Sequence, residues 1–152
     1  MSIEEAYAAI PHARTTFDGG TSKLPRPHIE ILQRLFSLSD EGVLLRVEAM
    51  RALQSGDTKK FQKALTAYKS LSQSLQSLKV FPQIEEIRRL ILEAIQNHHQ
   101  FFVRTFEKSN GLTDRTLKLD ASVHEASQKL HDAYDRLMKA FPQESGQNKQ
   151  AF

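Results

Sequence analysis

Apolar residues recur along this chain at intervals of three and four, which is the spacing of an amphipathic α-helix. The pattern predicts four long helices, over residues about 28–55, 57–79, 82–109 and 113–141. Runs of β-branched residues, which would indicate strands, are missing. We therefore predict an all-α fold, an antiparallel bundle of four long helices with a short N-terminal helix and a disordered C-terminal tail.

The connection between the first two long helices is the clearest local signal. Gly56 suits the left-handed position after a helix C-terminus, and Asp57 or Thr58 can cap the helix that follows. Beyond it, apolar residues follow one face of the second helix: Phe61, Ala64, Tyr68, Leu71, Leu75 and Leu78. This pattern predicts a helical hairpin whose second helix packs against a partner helix.

Inside the first long helix, the pattern weakens between Ser37 and Gly42. Glycine within a helix costs about 1 kcal/mol relative to alanine, and Ser37 with Asp40 could begin a new helix. A kink or a short break is predicted there.

The ends of the chain differ from its middle, and we divide it into residues 1–27, 28–141 and 142–152. Residues 2–10 can form a short helix with Ile3, Tyr7 and Ile10 on one side, and residues 11–27 form a linker with three prolines and a Gly-Gly turn. Residues 28–141 form the helical bundle. The polar residues 142–152 are predicted to be a disordered tail.

Charge and composition narrow the functional classes. The chain has 152 residues, a net charge of +3 and no cysteine, so disulfide and thiolate chemistry are excluded. No apolar run reaches about 18 residues, so no membrane span is predicted and a cytoplasmic protein is expected. Lys59, Lys60 and Lys63 form a basic face without interleaved aromatic residues, so solvation is favoured there over nucleic-acid binding.

The six histidines are the first candidates for chemistry. His98 and His99 lie in the third helix, but neither is followed by the lysine and glycine that mark a phosphotransfer histidine, so structural roles are favoured. On the fourth helix, His124 and His131 could bind a metal together with Asp120 or Asp135. A bundle di-metal site requires Glu-x-x-His, which the chain lacks, so a solvated flank is favoured. We predict no enzyme activity, no cofactor and no metal.

The hairpin resembles that of FlgN-type flagellar export chaperones. The similarity covers residues 29–108. The turn is Leu53-Gln54-Ser55-Gly56-Asp57, and residues 95–102 correspond to part of the long third helix. The matching positions of the second helix are Phe61, Leu65, Lys69, Leu71 and Leu75. It implies a small cytoplasmic chaperone for type III export. Such a chaperone would bind the C-terminal helical segment of a hook–filament junction protein, by helix-in-groove contacts.

The resemblance makes the fourth helix the candidate partner-binding surface. The contact residues would be Leu119, Val123, Leu130, Leu137 and Phe141. The same apolar stripe is equally compatible with closing the bundle. A self-associating structural or regulatory bundle, including a homodimer, is the alternative function, and a histidine-based metal or phosphotransfer module is the remote one.

Overall fold

A computed structural model describes residues 24–108 and 121–140 of the chain. Four α-helices make up most of these residues: α1 (Arg26–Ser55), α2 (Thr58–Ser77), α3 (Glu85–Lys108) and α4 (Ala121–Ala140). A short 3-10 helix, Pro82–Ile84, leads into α3. No strand occurs among the described residues. The predicted all-α class is confirmed for this part of the chain.

The turn between α1 and α2 forms as the sequence predicts. Gly56 has a φ of 70°, the left-handed conformation that glycine adopts without a steric penalty. The backbone N–H of Asp57 donates to the carbonyl of Ala52 at 2.9 Å. The Asp57 carboxylate accepts the backbone N–H of Lys60 at 3.0 Å and so caps α2.

The predicted break near Gly42 is wrong, because α1 continues as one helix through residues 37–42. Gly42 is buried, and a Cβ atom on it would lie 2.9 Å from Cδ1 and 3.1 Å from Cγ1 of Ile95 in α3. The glycine therefore allows close packing of α1 and α3. Its low helix propensity is the cost of that contact.

The helix ends differ from the predicted ones by a few residues. α1 begins at Arg26, two residues earlier than predicted, because Pro27 fits the first turn of a helix. The stretch from Pro82 is 3-10 before α3 begins at Glu85. The predicted short helix and most of its linker, residues 109–120 and the tail lie outside the described residues.

The core is formed mainly by one face of each helix. α1 packs mainly on α2 and α3 mainly on α4, and α2 contacts α3. Between α2 and α3, the Phe61 ring packs edge-on against Phe102 and is stacked on Phe106, while Tyr68 is stacked on His99. No helix of the described part is long and apolar enough to cross a membrane.

Candidate partner-binding groove

A surface groove follows the hairpin of α1 and α2. One part, of about 520 Å³, is lined near the turn by Glu48, Arg51, Ala52, Ser55, Lys60, Lys63, Ala64 and Ala67. A second part, of about 410 Å³, is lined by Glu41, Leu44, Leu45, Glu48, Ala67, Ser70, Leu71 and Ser74. Because both parts share Glu48 and Ala67, they join end to end. We call the joined feature the α1–α2 groove.

The register of the hairpin sets the length of this groove. Residues 52–55 of α1 lie opposite 60–64 of α2, and residues 41–45 lie opposite 70–74. From Glu41 to Ser55 the groove extends about 21 Å along α1, at about 1.5 Å per residue. That length corresponds to about four turns of a bound helix.

The floor of the groove is apolar and consists mainly of small side chains. Ala52, Ala64 and Ala67 leave space between the two helices, and Leu71 closes the floor farther from the turn. Leu44 lines the groove and is only partly buried. An apolar strip that is partly open to solvent, between two helices, is suited to accept the apolar face of another helix.

The charges of the groove are separated along its length. Lys60 and Lys63 are exposed at the turn end, whereas Glu48 lies at the middle and Glu41 at the far end. Within the described part of the chain, none of these four side chains forms an ion pair or a side-chain hydrogen bond. The groove can therefore select a partner by the order of its charges.

Tyr68 of α2 is fully buried and interacts electrostatically with Arg46 and Glu48 of α1. Burial raises the pKa of the Tyr68 hydroxyl far above its usual range, an effect that the charge of Arg46 opposes and that of Glu48 reinforces. Burial also lowers the pKa of Arg46, and nearby Tyr68 opposes that shift. The buried Tyr68 Oη has no hydrogen-bond partner among the described residues. Tyr68 thus contributes by packing, with its ring stacked on His99 and Phe102 of α3.

The structure places the predicted partner-binding residues of α4 in several environments. Leu130 and Leu137 are buried in the core, with 3% and 0% of their surface exposed. Val123 lies in α4, but its side chain is outside the described part, as are Leu119 and Phe141 altogether. While α4 is packed on α3, the two buried leucines cannot contact another protein. Neither Leu130 nor Leu137 lines the α1–α2 groove.

The histidines of α3 are held by packing. His98 is fully buried, and its Nε2 lies 2.9 Å from the Ser127 hydroxyl of α4. His99 is half-buried; burial lowers its pKa and the charge of Lys69 lowers it further. His131 is exposed on α4. Among the described side chains, no group of three or more histidines and carboxylates could hold a metal ion.

Part of this groove coincides with a surface that the sequence predicts to be solvated. The charge pattern predicts that the basic face with Lys60 and Lys63 is solvated, whereas both lysines line the groove. A groove depends on which residues two helices bring together, and the periodicity of one helix does not predict that pairing. The available signal was the pair Ala64 and Ala67, small side chains beside a basic face.

We compared the chain with family models, curated proteins and solved structures, and no match was found in any of the three.

Proposed function

We propose that this protein is an antiparallel bundle of four long helices that binds a helical segment of a partner protein without catalysing a reaction. The bound helix lies in the α1–α2 groove. One observation carries the proposal: an apolar groove about four helical turns long is bordered by Lys60 and Lys63 at one end and by Glu48 and Glu41 toward the other, and these four side chains form no ion pair within the described residues.

The groove specifies the chemistry of its partner. A helix with a face of small and apolar residues would cover Leu44, Ala64 and Ala67. Acidic residues at one end of that helix would pair with Lys60 and Lys63. Basic residues at the other end would pair with Glu41 and Glu48, and the two sets of pairs fix its direction.

A narrower form of the proposal is a cytoplasmic chaperone for flagellar or type III export, with the helix of an export client in the groove. The support is the residue pattern of the hairpin, including the Gly56–Asp57 turn and the regular leucines of α2. In that form the hairpin itself contacts the client, instead of the stripe of α4 that contains Leu130 and Leu137.

Site-specific photo-crosslinking in the native host tests the proposal. A photo-reactive amino acid replaces Leu44 in the groove, and in a matched control it replaces the exposed Gln100 of α3, which does not line the groove. The expected result is one specific crosslinked protein from the groove position only, joined through a segment with the predicted apolar face and charge order. Crosslinks of equal yield and identity from both positions would contradict the proposal. A crosslink to a second copy of the chain would favour self-association.

A further inference from the structure

The first fourteen residues of the chain carry a pattern that matches the α1–α2 groove. Ile3, Tyr7 and Ile10 fall on one side of a helix over residues 2–10, with alanines between them. Glu4 and Glu5 lie near the beginning of the segment. The segment therefore offers the apolar face and the acidic end that the groove requires.

The order of charges fixes the direction in which this segment can lie. Its acidic residues come first, and the basic Arg14 follows Glu5 by nine residues. In the groove, Lys60 and Lys63 lie at the turn end, and Glu41 lies at the other end. The acidic residues of the segment face Lys60 and Lys63, and Arg14 faces Glu41, only when the segment begins at the turn of the hairpin and runs antiparallel to α1.

Distances along the groove agree with this placement. Ala52 lies in the same part of the groove as Lys63, and eleven residues of α1 separate it from Glu41, a distance of about 16 Å. From Glu5 to Ile10 a helix covers about 7.5 Å, and the four residues from Pro11 to Arg14 add up to about 13 Å when extended, so Arg14 can lie up to about 21 Å from Glu5. A segment with its acidic residues at Lys63 can therefore bring Arg14 close to the acidic end.

The connection back to α1 is also long enough. The matching direction points the end of the segment toward the beginning of α1. From the level of Glu41 to Pro25 the chain must cover about 24 Å along α1, at about 1.5 Å per residue. Residues 15–25 can span up to about 36 Å when extended. Pro25 and the glycine pair at 19–20 favour an extended or turning connection over a continued helix.

We propose that residues 2–14 dock in the α1–α2 groove of their own chain when no partner is bound. The segment covers the apolar floor and pairs with Lys60 and Lys63. Its regulatory consequence rests on the proposed function, because an incoming partner helix must displace it. The docked segment lowers the apparent affinity of the groove in proportion to the fraction of molecules in which it is bound.

Paramagnetic broadening in the full chain tests this docking without any partner. The chain contains no cysteine, so Ser70→Cys at the exposed rim of the groove accepts a single spin label. Gln100→Cys on α3 provides the control position. The expected result is strong broadening of the amide signals of residues 3–14 by the label at position 70 and clearly weaker broadening by the label at position 100. Equal broadening from both positions, or none from position 70, would overturn the proposal.

Charge reversal separates groove docking from chance proximity. Lys60→Glu with Lys63→Glu should abolish the broadening from position 70, and adding Glu4→Lys with Glu5→Lys should restore it. Lys59→Glu with Lys79→Glu changes the net charge equally at exposed sites outside the groove lining and should leave the broadening in place. If the control pair abolishes the broadening as fully as the groove pair does, the specific docking is refuted.

A mixed sample identifies which copy supplies the segment. Isotope-labelled chain without a spin label is mixed with spin-labelled chain at natural isotope abundance. Docking within one chain predicts no broadening of residues 3–14 in this mixture, and broadening there would assign the groove to a second copy and overturn the proposal. These measurements need no partner protein, so their failure leaves the proposed function standing. Failure of the photo-crosslinking test would leave this docking standing.

Discussion

The hydroxyl of Tyr134 in α4 donates a hydrogen bond of 3.2 Å to the carboxylate of Asp40 in α1. Both residues are buried, and 94 positions of the sequence separate them. The Tyr134 ring also packs edge-on against Phe36, with ring centres 5.4 Å apart. This polar contact within an apolar core joins the last described helix to the first.

Tyr134→Phe is predicted to destabilise the protein. The substitution keeps the ring against Phe36 but removes a hydrogen-bond donor from a buried carboxylate, which costs about 1–3 kcal/mol. Urea unfolding followed by circular dichroism measures the change in the free energy of unfolding.

Tyr68→Phe is the matched control for that substitution. The Tyr68 hydroxyl is equally buried but has no hydrogen-bond partner among the described residues. Its removal eliminates an uncompensated desolvation cost, so the variant should be as stable as the natural protein or more stable. A loss of stability equal to that of Tyr134→Phe would contradict the assignment of the Tyr134–Asp40 contact.

Gly42→Ala tests the close approach of α1 and α3. Alanine improves helix propensity by about 1 kcal/mol, but its Cβ would lie 2.9 Å from Cδ1 of the fully buried Ile95. We expect the single substitution not to stabilise the protein. In an Ile95→Val background, which lacks Cδ1 but keeps Cγ1, the same substitution should be more favourable than it is in the natural protein. A double-mutant cycle by urea unfolding measures this coupling, and additive effects would contradict the contact.

The stability of the protein should fall on mild acidification through His99. Burial first, and the Lys69 charge second, lower its pKa from 6.5 in the folded protein, so the unfolded chain binds a proton more readily. Stability is therefore lost as the pH falls from about 6.5 toward the folded pKa. Thermal melting between pH 7.5 and pH 5 should show a smaller decrease in Tm for His99→Gln than for the natural protein.

Lys69→Gln provides a graded control for the histidine. This substitution removes the Lys69 charge, which is the smaller cause of the lowered His99 pKa, and leaves the burial of His99 in place. The pH dependence of Tm in Lys69→Gln should therefore fall between those of the natural protein and of His99→Gln. An unchanged pH dependence in His99→Gln would exclude this histidine as the source.

Local signals in the sequence were sufficient to predict the helices and the hairpin turn. The turn depends on the left-handed preference of Gly56 and the capping carboxylate of Asp57, which are properties of a few adjacent residues. Apolar periodicity likewise predicted most of the buried face of α2, including Phe61, Tyr68 and Leu75.

Contacts between distant residues could not be predicted in the same way. From the sequence alone, Gly42 predicts a helix break, because the residue that explains the glycine, Ile95, lies in another helix. Leu130 and Leu137 belong to a stripe whose spacing is the same for a core and for a partner-binding surface. The groove arises from the register of α1 and α2, so the apolar pattern of either helix alone could not predict it.

The affinity of the crosslinked partner segment for groove variants tests the central claim most directly. A synthetic peptide of that segment is titrated into the natural protein, into Lys60→Glu with Lys63→Glu, and into the control pair Lys59→Glu with Lys79→Glu. Reversal of two charges that contact the bound helix should raise the Kd at least about tenfold, equivalent to about 1.4 kcal/mol, and the control pair should change it less than about threefold. Equal Kd values for the groove pair and the control pair would contradict binding in the α1–α2 groove.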